Sequence, residues 1–382
     1  MSLNEVYITR TSSYFPNNPV SNDEMEEYLG FINGKPSKSR RIVLRNNGIT
    51  NRYYALDKQG NITHTNADMT AAAVRKLLDN DPQQLKTVEL LSCGTSAADQ
   101  LMPSHGVMVH GLLPETGAIE VVSPSGVCCA GMHALKYAYM AVKTGDAKTA
   151  VATGSERFSP MLRAGVFEDE IHKLIELEAN PYISFEKEFL RWMLSDGASA
   201  FLLSNKKSET GISLRIEWLE GVSYAQEMET CMYMGSEKLP DGRLKSYMEY
   251  TPEEIVDQSI FSIKQDVKLL SENIVPYGGK MLKQLFDTKD MTPDDIAYYM
   301  PHMSSNFFKE KIYQEHVKND IEIPYEKWFV NLTTKGNVGA ASVYIMVDEL
   351  FHSGKLKKGD KILLLVPESS RFSYMYGLLT AC

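Results

Sequence analysis

Ser125-Gly-Val-Cys-Cys-Ala-Gly131 opens a helix that runs to about Lys143 and stops at Thr144-Gly-Asp146, ahead of the apolar strand Thr149-Ala-Val-Ala-Thr153. Lys335-Gly-Asn-Val-Gly-Ala-Ala-Ser342 repeats the design: a helix to about Phe351, a stop at Ser353-Gly354, then the strand Gly359-Asp-Lys-Ile-Leu-Leu-Leu-Val366. Glycine just past a helix end supplies the left-handed cap that both stops need. Upstream the order also repeats. A helix from Asp68 to Leu78 leads to the apolar run Val88-Glu-Leu-Leu-Ser92 and the small-residue loop Cys93-Gly-Thr-Ser-Ala97. Gly279 to Phe286, Ile296-Ala-Tyr-Tyr-Met300 and Pro301-His-Met-Ser-Ser305 follow the same succession. Cys93 lies 36 residues before Cys129 and His302 lies 35 before Asn337, so the register is kept.

Strands that alternate with helices, and are apolar throughout rather than every second residue, belong in parallel or mixed sheets covered on both faces. The expected class is α/β, built as two pseudo-equivalent halves, 1–205 and 206–382. Segments that break the pattern, about 157–195 and 222–260, read as insertions; they include Phe167-Glu-Asp-Glu-Ile-His172 and Tyr224-Ala-Gln-Glu-Met-Glu-Thr-Cys-Met-Tyr-Met234. Small residues at both helix starts call for close helix packing or backbone approach to a ligand, because glycine costs helix stability of about 1 kcal/mol relative to alanine.

The 382 residues include 40 basic and 49 acidic side chains and are 43% hydrophobic, the balance of a folded chain. The net charge of −9 argues against a general nucleic-acid binder. Five scattered cysteines, Cys93, Cys128, Cys129, Cys231 and Cys382, fit neither a disulfide framework nor a zinc site. No basic leader precedes an apolar run and no stretch of about eighteen apolar residues occurs, so a soluble, cytoplasmic protein is expected. Phosphate-cradling glycine loops and metal-ligand clusters are not visible, and no dissociable cofactor is expected.

A cysteine in the first turn of a helix has its thiolate favoured by the dipole and free amides, which makes Cys129 a candidate nucleophile. The equivalent positions of the second copy carry His302 on the loop and Asn337 at the helix start, and pseudo-symmetry would bring all three to one centre. These motifs resemble the type III β-ketoacyl synthases of the thiolase superfamily over nearly the whole chain. Cys129-Ala-Gly131 is similar to that family's nucleophile motif, Pro301-His302 to its catalytic histidine, Gly336-Asn-Val-Gly-Ala-Ala-Ser342 to its asparagine motif, and Asp196-Gly-Ala198 to a further signature. The resemblance implies a five-layer αβαβα thiolase-like fold, a homodimer, a Cys-His-Asn triad and acyl transfer through a covalent acyl-enzyme, with acyl thioesters on carrier protein or CoA as partners. Cys128 is the alternative nucleophile.

The roles follow from charge. Cys129 would take the acyl group, His302 and Asn337 would donate to the enolate-like second thioester, and the amide of Cys129 with Ser370 would hold the oxyanion. Glu368-Ser-Ser-Arg-Phe372 stands where the family has glycines. Thr153-Gly-Ser-Glu-Arg-Phe-Ser-Pro160 and the extra length resemble the ketosynthase/cyclase branch, which makes cyclohexanedione precursors of dialkylresorcinols and stilbenes. In that branch Glu156 would be the base for ring formation. A starter synthase of fatty-acid or polyketide synthesis, or an acyltransferase on the same fold, is the alternative. Lys35, Lys38, Arg40, Arg41 and Arg45 form a basic stretch suited to an anionic phosphopantetheine carrier.

Overall fold

The computed structural model describes residues 3–37, 40–165 and 189–382 of the chain. Among them the main sheet has nine strands: β1 Tyr7–Tyr14, β2 Leu90–Thr95, β3 Glu120–Val122, β4 Thr149–Glu156, β5 Gly197–Ser204, β6 Leu214–Ser223, β7 Tyr298–Pro301, β8 Lys361–Glu368 and β9 Ser373–Ala381. Their order is β7-β8-β9-β6-β1-β5-β4-β2-β3. In the first half β3, β2 and β4 are parallel, and β5 and β1 follow antiparallel. In the second half β7 and β8 are parallel, with β9 and β6 antiparallel to their neighbours. Even the third parallel strand has a trace, a parallel bridge from Tyr299 to Trp328. Within the sheet the halves pair through Tyr7 with Arg215 and Ile8 with Leu214.

Helices pack around this sheet. α2, Asn66–Leu77, starts on a capping box in which Thr65 and Asp68 exchange hydrogen bonds, and its buried face includes Met69, Ala73, Val74 and Leu77 against the first half. α3, Ala130–Thr144, and α6, Ser342–Phe351, form the middle layer, where Leu135 and Val142 share a core with Val343 and Val347. α4, Val267–Thr288, and α5, Lys309–Lys318, cover the outer face of the second half. The class is thus α/β and thiolase-like, with apolar strands such as Ile362–Val366 buried on both faces.

The small residues have a steric cause. A Cβ on Gly131 would come within 2.2 Å of the Ala340 carbonyl oxygen, and one on Gly94 within 2.2 Å of that of Ala130. The Tyr344 hydroxyl donates to the Gly131 carbonyl at 2.8 Å. The two inner helix starts therefore touch backbone to backbone.

Several boundaries differ from expectation. Cys93–Thr95 stay in β2 instead of starting the loop. α4 begins at Val267, twelve residues ahead of the expected Gly279, and runs through Pro276. Asn337 precedes α6 by a turn of 3₁₀ helix, Gly339–Ala341, rather than opening the helix itself. Residues 166–188, which hold Phe167 to His172 and most of the first insertion, lie outside the described residues. The second insertion contains a two-stranded ribbon, Ser236–Lys238 with Leu244–Ser246.

Candidate active site

Three chain turns converge on one cavity. The turn ahead of α3 brings Val127 and Cys128, the loop after β7 brings His302 to Ser304, and the turn before α6 brings Asn337 and Gly339. The cavity encloses about 920 Å³ of empty space, mouth included. Its remaining wall is mostly apolar, with Met193, Met232, Ile274 and Phe308 among its lining. Gln265 Oε1 and His316 Nδ1, on residues that line it, are buried polar atoms without a hydrogen-bond partner among the described residues.

Each group is fixed by backbone. The His302 amide donates to the Leu365 carbonyl on β8 at 2.8 Å. The Asn337 amide donates to Met193 and its carbonyl accepts from Ser195, both at 2.9 Å, while its Oδ1 accepts from the Gly339 amide at 2.9 Å. Burial lowers the His302 pKa to about 4, so the imidazole is neutral at pH 7 and has one N–H to donate.

The structure separates the adjacent cysteines. Cys129, expected to be the nucleophile, is fully buried outside the cavity lining, and its thiol donates to the Val366 carbonyl at 3.3 Å. Cys128 is the partly exposed member of the pair and lines the cavity with His302 and Asn337. The Cys129 amide, expected in an oxyanion site, donates at 3.0 Å to Glu368 Oε2, which also accepts from the Val127 amide at 2.8 Å. Ser370, whose backbone N–H is expected as the second oxyanion donor, donates its hydroxyl to Glu368 Oε1 at 2.8 Å. Burial pushes both thiols up, and the Glu368 charge adds to it.

Glu156 ends β4, fully buried against the cavity wall: a Cβ on Gly339 would lie 2.7 Å from its Oε1. It accepts from the Ala340 amide at 3.0 Å and the Ser96 hydroxyl at 2.8 Å. Arg157 is not its partner; that guanidinium pairs with Asp99 at 2.8 Å. Burial raises the Glu156 carboxyl to about 7 against the hydrogen bonds that lower it. Asp196 is a knot of structure, accepting from the amides of Ala55, Phe158 and Ser159.

The basic stretch divides. Lys38 lies outside the described residues. Arg40 pairs with the buried Glu26 at 2.6 Å, whereas Lys35, Arg41 and Arg45 are exposed. Helix α1, Arg40–Asn47, packs on the 3₁₀ turn Asn306–Phe308, beside the cavity-lining Ser304 and Phe308. Among the described residues no group of three or more His, Cys, Asp or Glu is placed to hold a metal ion, and no helix is long and apolar enough to cross a membrane.

A family described as 3-oxoacyl-[acyl-carrier-protein] synthase III C terminal matches residues 286–366, the stretch that holds His302 and Asn337. β-Ketoacyl-[acyl-carrier-protein] synthase III of Clostridium perfringens is 24% identical over 357 residues, 92% of each chain. The Neisseria gonorrhoeae enzyme of that name is 23% identical over 358 residues, 94% of this chain and 93% of its own. Among solved structures, AbyA1, a tetronic acid condensing enzyme, superposes with a TM-score of 0.74 at 18% identity over 98% of this chain and 99% of its own. Xanthomonas campestris OleA, solved as a cysteine-to-serine variant with bound lauric acid and lauroyl-CoA, gives 0.74 at 18% over 99% of each chain. In sequence and in fold the chain is similar to type III ketosynthases.

Proposed function

We propose that this chain is a condensing enzyme of the type III ketosynthase kind, joining two acyl thioesters through an acyl-cysteine. The observation that carries the reading is the meeting of a thiol, a neutral histidine and an asparagine on the wall of an apolar cavity. Cys128 attacks the first thioester and holds its acyl group while the carrier thiol leaves. His302 and Asn337 donate to the carbonyl oxygen of the second thioester as its α-carbon becomes enolate-like, a stabilisation strengthened where water is scarce. The lauroyl-CoA held by OleA supports an acyl chain in the same fold.

The finer reading is a ketosynthase/cyclase working as a homodimer: a β-ketoacyl thioester condenses with an acyl or enoyl thioester and closes to a cyclohexanedione. Glu156, near neutral pKa against the wall, supports it as the base. The test is product analysis with β-ketoacyl-CoA and 2-enoyl-CoA, alongside intact mass of the protein. A cyclic dione and an acyl adduct are expected. Product that requires malonyl carrier protein would make it a starter synthase, and an ester or amide product an acyltransferase.

Lys35, Arg41 and Arg45 support carrier docking beside the cavity. Reversing charge at Arg41 and Arg45 together is expected to raise KM for carrier-bound substrate about tenfold, leave kcat within twofold and flatten the salt dependence. Arg40 is spared because its loss strands Glu26. An unchanged KM would remove the patch from the proposal.

A further inference from the structure

Glu368 has no part in the chemistry above, yet it sits at its centre. One oxygen accepts from the amides on both sides of Cys128, at 2.8 Å from Val127 and 3.0 Å from Cys129, and the other is held by Ser370. The residue is 8% exposed. Both amides lie just ahead of α3, at its N-cap Cys129 and in the turn before it, where no intrahelical carbonyl reaches, and a carboxylate is a strong acceptor for such donors. Glu368 ends β8, so the contact ties a turn of the first half to the β8–β9 hairpin of the second. On the reading of Cys128 as nucleophile, we propose that Glu368 is a positioning residue that clamps the turn bearing Cys128 and so aims its thiol at the cavity shared with His302 and Asn337.

The clamp brings a charge with it. Among the described residues the titratable groups at this centre are Glu368 at the end of β8 and Glu156 at the end of β4, both acting on the Cys128 thiol, the neighbouring Cys129, His302 on the same cavity, and His133 on α3, which interacts with Glu368. After burial, Glu368 is the strongest opponent of the Cys128 thiolate, with Glu156 next. Clamp and charge separate by substitution: Glu368→Gln keeps an oxygen for both amides without the charge, and Glu368→Ala removes both.

The measurement is the rate of alkylation of Cys128 by iodoacetamide at pH 8 on the full chain, mapped by peptide mass spectrometry, together with the rate of acylation by acyl-CoA. Glu368→Gln is expected to alkylate about three- to tenfold faster, the gain from a larger thiolate fraction once the neighbouring charge is gone, less the weaker nucleophilicity of that thiolate. Its acylation stays within a few-fold of the parent. Glu368→Ala is expected to lose about 10²-fold in acylation, the cost of a misplaced reacting group, and Gln restores it. A Gln variant that alkylates at the parent rate, or an Ala variant that acylates at it, overturns the proposal. Should Ala not fold, Glu368→Asp, which keeps the charge and shortens the reach to the Val127 and Cys129 amides, takes its place, and acylation at the parent rate in that variant overturns the proposal. A parent that takes no acyl group defeats the proposed function, while the alkylation rates still decide the role of Glu368.

Discussion

Cys128→Ala is expected to leave no acyl adduct and to lower turnover by at least about 10³-fold, while Cys129→Ala still acylates. The difference rests on where each sulfur points. Cys128 lines the same cavity as His302 and Asn337, where the proposed condensation would take its thioesters. Cys129 is sealed at the start of α3 with its S–H on the Val366 carbonyl, so its truncation removes packing and one weak hydrogen bond, about 1–2 kcal/mol of stability. Peptide mapping after incubation with an acyl-CoA reads the outcome directly. An adduct on Cys129 in the parent, or labelling that survives in Cys128→Ala, returns the nucleophile to Cys129.

Glu156→Gln is expected to stop ring formation, by at least about 10²-fold, with the acyl adduct formed at the parent rate. Condensing a β-ketoacyl with an enoyl thioester requires a proton to leave carbon, and no decarboxylation supplies the carbanion. Burial raises Glu156 to about 7 although the Ala340 amide, Ser96 and Thr95 all favour its charged form. The carboxylate is the active form of a base. Ring formation in the parent should therefore rise with pH through about 7 and level off above it, and the Gln variant should lack that inflection. Cyclic product at the parent rate in Glu156→Gln would place the base elsewhere.

The repeat was legible because it is written in local signals: glycine stops, apolar runs and a spacing near 35 residues do not depend on long-range contacts. His302 and Asn337 came with it. Which of Cys128 and Cys129 faces the cavity was not legible, since both lie in an irregular turn where no periodicity assigns a face, and the Cys-Ala-Gly context favours Cys129, which packs inward. Glu368 was seen only as a departure from glycine. Its role depends on amides about 240 residues earlier in the chain, and sequence pattern carries no such pairing. The early start of α4 was hidden by Pro276, which reads as a breaker yet is accommodated inside the helix.

The contact of Gly131 with the Ala340 carbonyl sets the separation of the two inner helix starts by main chain alone. Cys128 and Asn337 each stand three residues ahead of one member of that contact, so the spacing between the two cavity-lining turns is gauged by atoms that every residue type shares. Side chains elsewhere in either half can drift over evolutionary time without resetting it. The gauge itself tolerates almost nothing, since any L side chain at Gly131 would drive the halves apart. Divergence in this architecture is accordingly expected to be broad over the helices and strands and frozen at a few glycines, the positions where the two copies read each other's backbone.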